Sequence, residues 1–267
     1  MTNDLEPVET TACLILIGNE LLSGRTQDKN LAFIATELNE VGVRLREARV
    51  IPDVRETIVA TLNECRAKHD YVFTTGGIGP THDDITTECV AAAFGVGLYR
   101  DQVTVDLLTE RTRERGQEMN EARLRMATFP VGAELLPNSI SAAPGYRLDN
   151  VFVMAGIPRV MQVMFEAARS QLRGGRKVQA RSVAVDLGEG TIADCLSALQ
   201  AKHPAIDIGS YPQMRPVGFR VSVVLRSTDD AMLDRVTEEL IGALRTIGGD
   251  PQLEDIATAQ STAEPEG

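Results

Sequence analysis

The sequence predicts an α/β protein: a mostly parallel sheet with helices on both faces, followed by a small α+β domain. Three observations predict it. Short apolar runs at 12–17, 71–73 and 151–154 mark buried strands. Segments with helical apolar spacing separate them, the order expected of parallel strands joined by crossover helices. After the Gly- and Arg-rich stretch 173–177, the best linker candidate, the pattern changes to strand, helix, strand, strand, helix, which fits a split βαβ module.

Each element follows in order. The run 12–17 ends in a turn at Gly18-Asn19-Glu20. Leu31, Ile34, Ala35, Leu38 and Val41 recur at helical spacing, and Gly42 stops that helix. Segment 43–51 is apolar at Val43, Leu45 and then Val50-Ile51, and reads as a strand edging the sheet, closed by Pro52-Asp53. Val54, Ile58, Leu62 and Cys65 mark the next helix, 71–75 the next strand and 85–94 the helix after it. Residues 98–128 are charged and helical, with Val103, Leu107 and Leu108 on the apolar side and a mixed Arg/Glu run at 109–118 on a solvated face. A strand at 133–136 precedes turns at Pro137-Asn138 and Ala143-Pro144-Gly145. Pro158 suits the first turn of a helix that Val160, Met161, Met164, Phe165, Ala168 and Leu172 continue. Beyond the linker, 178–187, 206–211 and 219–225 read as strands, and 192–199 and 232–247 as helices. These form a second domain over 178–248. Residues 249–267 are acidic and poor in large apolar side chains, the composition of a disordered tail.

Composition excludes several classes. The chain of 267 residues carries a formal charge of −11, has 4% aromatic residues and lacks Trp. Nucleic-acid surfaces draw on clustered cations and stacking rings, so no nucleic-acid partner is expected. No apolar run is long enough to span a membrane. The acidic first residues lack the cationic region of a secretory signal, and a cytoplasmic location is the expectation. Cys13, Cys65, Cys89 and Cys195 are far apart and form no CxxC pair; His69, His82 and His203 are equally scattered. That spacing predicts neither a structural zinc site nor a disulfide framework, but buried free thiols.

The richest stretch runs from Tyr71 through the glycines Gly76, Gly77 and Gly79 to Thr81, Asp83, Asp84 and Thr86. Glycines let backbone approach a ligand closely, and a helix start offers N–H groups to an anion. A P-loop needs Lys-Ser/Thr after its last Gly, and the dinucleotide fingerprint needs Gly where His82 stands, so neither is supported. In a parallel sheet, ligands bind outside the carboxyl ends of the strands. This brings the loops at 18–24, 52–53 and 76–84, with Glu20, Asp53, Asp83 and Asp84, to one rim. Adjacent residues at a helix start point apart: Asp84, before apolar Ile85, is read as facing inward, and Asp83 as serving the helix start. Glu20, Asp53 and Asp84 together would supply oxygen ligands for Mg²⁺ or Mn²⁺ shared with a phosphate.

These residues carry a resemblance. Ile17-Gly18-Asn19-Glu20-Leu21-Leu22-Ser23-Gly24 with Asn30, Pro52-Asp53, the Gly-Gly-Ile-Gly-Pro-Thr-His-Asp-Asp-Ile-Thr element ending at Thr86, Ala143-Pro144-Gly145 and Ala155-Gly156-Ile157-Pro158 resemble the MoaB/Mog-like molybdopterin-binding domain. The likeness covers 10–172. It is nearest the version in the amino-terminal part of the competence/damage-inducible CinA proteins, and extends to the related domain of eukaryotic FAD synthases. It implies a three-layer α/β/α fold and a homo-oligomer. It also implies a pocket for a small phosphorylated ligand, either a nucleotide diphosphate or molybdopterin. By motif position Asp53 and Asp84 would be catalytic. Gly18, Glu20, Ser23, Asn30, Thr75, Gly76, Gly77, Gly79, Thr81, Thr86, Gly145, Gly156 and Pro158 would line the ligand, and Asp84, Asp53 and Glu20 would hold a divalent metal (Mg²⁺, Mn²⁺ or Co²⁺). The activity it implies is metal-dependent pyrophosphatase action on ADP-ribose- or FAD-like dinucleotides. A molybdopterin-binding protein and a non-catalytic scaffold are the alternatives. One departure stands out: Ala155 replaces the proline usual at the start of the family's Pro-Gly-x-Pro element.

Overall fold

The computed structural model describes residues 9–214 and 219–255. The chain divides into two compact units, Met1–Arg176 and Lys177–Gly267. The first runs β1 (Thr11–Ile17), α1 (Asn19–Leu22), α2 (Asn30–Glu40), β2 (Arg44–Ile51), α3 (Arg55–Lys68), β3 (Tyr71–Thr75), α4 (Thr86–Phe94), β4 (Leu98–Arg100), α5 (Gln102–Glu114), α6 (Glu121–Arg125), β5 (Thr128–Pro130), β6 (Glu134–Leu136), β7 (Gly145–Leu148), β8 (Val151–Met154) and α7 (Pro158–Arg169).

Six of these strands make one sheet in the order β2-β1-β3-β8-β7-β6. β2, β1, β3 and β8 are parallel, while β7 and β6 add an antiparallel edge. Alternate residues of β1 serve two cores. Ala12, Leu14 and Leu16 pack with Ile34 and Leu38 of α2 and Met161 and Phe165 of α7. Cys13, Ile15 and Ile17 pack with Ile58, Leu62 and Cys65 of α3 and Val90 of α4. The central strands are therefore apolar on both faces, which explains their continuous apolar runs.

Strand β2 breaks its own alternation, and the sheet shows why. Its register with β1 shifts between Ala12 and Cys13, so that Ala12 pairs with Leu45 but Cys13 with Glu47. A one-residue slip turns every later side chain to the other face. Val43 and Leu45 therefore pack on the α2 side, whereas Ile51 packs on the α3 side.

The charged stretch after α4 departs from the sequence reading. It begins with β4, which pairs with β5. Helix α5 is also turned differently: Thr104, Leu108 and Thr112 are buried, while Val103 and Leu107 are 67% and 50% exposed. Asp101 caps α5 by accepting the Thr104 N–H at 2.8 Å and the Thr104 hydroxyl at 2.7 Å.

The second unit comprises β9 (Gln179–Val185), α8 (Glu189–Lys202), β10 (Asp207–Met214), β11 (Phe219–Ser227), α9 (Asp230–Thr246) and β12 (Gln252–Glu254). Its strands form an antiparallel sheet ordered β10-β11-β9-β12. Val183, Val223 and Leu225 meet Leu233, Val236, Leu240 and Leu244 of α9 in its core. The expected disordered tail is corrected at its start. Glu254 receives hydrogen bonds from Arg220, Ser182 and Ser222, and with Leu253 and Gln252 it completes the split βαβ sheet beside β9. Residues 256–267 of that expected tail lie outside the described residues.

Candidate functional site

Strands β2, β1 and β3 are parallel neighbours, so the segments that leave their carboxyl ends emerge side by side. The turn after β3 is built by glycines. Gly76 and Gly77 have φ of 102° and 68°; a Cβ on Gly76 would lie 2.1 Å from the Ile17 carbonyl oxygen, and one on Gly77 2.1 Å from Thr86 Oγ1. Thr86 closes the turn: its hydroxyl donates to the Gly76 carbonyl at 3.0 Å and its N–H to the Gly77 carbonyl at 2.9 Å. Thr75 and Thr86 are buried there. Among the described residues the N–H groups of Gly77, Ile78 and Gly79 have no partner within the chain, and they stand ready for an anion.

Asp84 folds back into this turn. One carboxylate oxygen accepts the Thr81 N–H at 2.8 Å and the Thr81 hydroxyl as well. Gly79 makes room, since a Cβ there would come within 2.6 Å of that oxygen. Asp83 is exposed and does not serve the helix start expected of it: α4 begins after Ile85 with no side-chain cap.

The other candidates distribute around this edge. Asp53 accepts the Asn19 N–H at 2.8 Å and so anchors the start of α1. Glu20, on α1, lays its carboxylate over Gly18, where a Cβ would meet it at 2.5 Å. Ser23 ends α1 and donates to the Glu20 carbonyl. Asn30 is buried at the start of α2. Its amide donates to the Gly156 carbonyl at 2.9 Å, and its side-chain oxygen is buried without a partner. Gly156 in turn sits against Gly76, its missing Cβ 3.4 Å from the Gly76 α-carbon. Pro158 is the first residue of α7. Gly145 serves packing: it is buried, and a Cβ would meet the Val153 carbonyl oxygen at 2.6 Å.

The carboxylates do not converge. Oxygens of Glu20, Asp53 and Asp84 are not all within 4.8 Å of one another, a proximity that only Cys13, Glu47 and His69 reach among the described residues. Hard carboxylate donors suit Mg²⁺ or Mn²⁺, but these three form no preorganised triad, so an ion at this edge would need phosphate oxygens and water to complete its shell. Sequence reasoning missed Arg125 of α6, which donates to the Pro80 carbonyl at 2.9 Å and braces the glycine turn. No local signal marks an arginine 45 residues away for that role. Burial pushes the Cys13 and Cys65 thiols up, away from the low range that activates a cysteine nucleophile.

Free backbone donors, hydroxyls and carboxylates line the carboxyl edge of the parallel sheet, the place where α/β folds bind their ligands. The chain belongs to the family of probable molybdopterin binding domains, which it matches over residues 13–173. Residues 177–248 match the middle domain of FAD synthase. A protein of Pyrobaculum calidifontis is 35% identical over 212 residues, 76% of this chain and 81% of its own length. A CinA-like protein of Anaeromyxobacter sp. (strain K) is 36% identical over 149 residues, 54% of this chain, and this match spans only 36% of that longer protein. The crystal structure of the CinA protein of Thermoplasma acidophilum superposes with a TM-score of 0.56 at 30% identity, covering 61% of this chain and 98% of that one. No helix among the described residues is long and apolar enough to cross a membrane.

Proposed function

We propose that the protein hydrolyses the diphosphate bridge of an ADP-ribose- or FAD-like dinucleotide. The observation that carries this reading is the turn at 76–86: three unpaired backbone N–H groups beside the inward carboxylate of Asp84. The FAD-synthase-like unit on the same chain supports a flavin or adenine dinucleotide as ligand over a lone phosphate. In this reading the Gly77, Ile78 and Gly79 N–H groups hold the phosphate oxygens and stabilise the charge that builds on them during attack. Asp84 or Asp53 takes a proton from the attacking water. The water oxygen bonds to the adenylate phosphorus, the bridging oxygen leaves with the second phosphate, and AMP is released. A divalent ion bound with the substrate would polarise a phosphoryl oxygen and acidify water.

The test is incubation of the pure protein with ADP-ribose, FAD or NADH in Mg²⁺, Mn²⁺ or Co²⁺, followed by chromatography for AMP. Release of AMP that Asp84→Asn abolishes supports the proposal; no AMP with any metal sinks it. The family match favours a second reading, in which the same turn binds the phosphate of molybdopterin without hydrolysis. Molybdopterin binding that Asp84→Ala weakens, with no AMP from any dinucleotide, would select it. We also propose that the protein is a homo-oligomer, which light scattering of the purified chain checks.

A further inference from the structure

We propose that Cys13, Cys65, His69 and Glu47 form a binding site for a thiophilic divalent cation of the Zn²⁺ class, separate from the carboxyl edge of the sheet. Cys13, Glu47 and His69 are remote in sequence but converge in the fold, and Cys65, on α3 four residues before His69, adjoins Cys13. Cys13 Sγ and Cys65 Sγ are 3.3 Å apart. One ligand atom each from Cys13, Glu47 and His69 lies within 4.8 Å of the others. Cys13 and Cys65 are 0% exposed and His69 7%.

Two further observations bear on the cluster. His69 Nε2 faces a Glu47 oxygen at 3.2 Å, which makes it the ring nitrogen on the cluster's side. The register shift in β2 places Glu47, rather than Arg46, opposite Cys13. Bulges recur where a side chain must be re-aimed. Cys13, His69 and Glu47 supply three donors of the kinds Zn²⁺ takes, and Cys65, beside Cys13, would be the fourth of a tetrahedral set. Binding converts both thiols to thiolates and releases two protons. Arg49 at 2.6 Å and Lys68 at 2.8 Å from Glu47 offset the negative charge that the thiolates bring.

Cobalt(II) is the probe. The full chain, stripped with a chelator and kept under a non-thiol reductant, is titrated with Co²⁺ and followed by absorption. One equivalent giving a thiolate-to-cobalt charge-transfer band with the intense visible bands of a tetrahedral ion, displaced by Zn²⁺, is the expected result. Cys65→Ala should remove the charge-transfer band or reduce it markedly, and Glu47→Gln should weaken binding ~10–100-fold. Asp84→Asn should leave the spectrum unchanged, which separates this site from any ion at the carboxyl edge. Weak octahedral bands without charge transfer in the unsubstituted protein, or a spectrum unaltered in Cys65→Ala, overturn the proposal. Because the unsubstituted protein alone can fail the test, a variant that does not fold leaves it decided.

Discussion

One strand, β1, joins two regions of opposite character. At its carboxyl end Gly18 opens onto an edge lined by oxygen donors and backbone N–H groups. Five residues earlier, roughly 16 Å along the strand, Cys13 lies in a closed cluster of sulfur, nitrogen and oxygen. At the edge, loops set the geometry: glycines admit the carboxylate of Asp84, and Thr86 ties the turn shut. In the interior, the packed sheet and α3 set it, with the register of β2 deciding which acid arrives. An open loop site can exchange a polar ligand with water, whereas a buried cluster can hold a soft ion out of it.

Four measurements sharpen or break this comparison. The largest effect is expected at the edge: Asp84→Asn should lower AMP release ~10²–10⁴-fold. The melting temperature should hardly move, because an amide oxygen can still accept the Thr81 N–H. A large fall in melting temperature would recast Asp84 as a structural residue. Next, Gly77→Ala should cost ~1–3 kcal/mol in urea unfolding, since it adds a Cβ at positive φ against Thr86 Oγ1. An unchanged midpoint would mean that the turn is not closed by Thr86.

Glu254 tests whether a ring of donors around an interior acid stabilises the fold by itself, with no ion involved. Burial alone would raise its pKa, but hydrogen bonds from Ser222 and Arg220 win and hold it below the ordinary value of 4.5. A depressed carboxylate contributes stability that is present above the unfolded pKa and lost as pH falls through the folded one. Glu254→Gln should therefore cost about 1–2 kcal/mol near neutrality. It should also flatten the loss of stability below pH 4.5, read by denaturant unfolding across pH. A variant with the parent's acid profile would refute the role assigned to β12. The smallest effect belongs to Arg125→Ala, expected to cost about 0.5–1.5 kcal/mol or less while raising KM for the dinucleotide. A change in kcat without one in KM would place Arg125 nearer the chemistry than a brace.

Much of the edge was legible because its signals are local. The Gly-rich turn, the apolar run before it and the helix after it lie within a single stretch, and glycine reports its own backbone need at Gly76 and Gly77. Strand β12 was missed because three residues with little apolar content carry no periodicity, and their place depends on Arg220, 34 residues away. The facing of α5 was right at Leu108 and wrong at its neighbours, because Thr104 and Thr112, not Val103 and Leu107, turn inward with it.

The sequence by itself determined the α/β order, the two units and the turn that forms the edge, since apolar period, glycine and proline act over a few residues. Only the tertiary structure decided which distant groups meet. Cys13 and Cys65 stand 52 residues apart yet touch, and Glu47 comes opposite Cys13 through a one-residue slip. Such a slip depends on how two strands pair, and pairing is a property of the packed sheet, not of either strand alone.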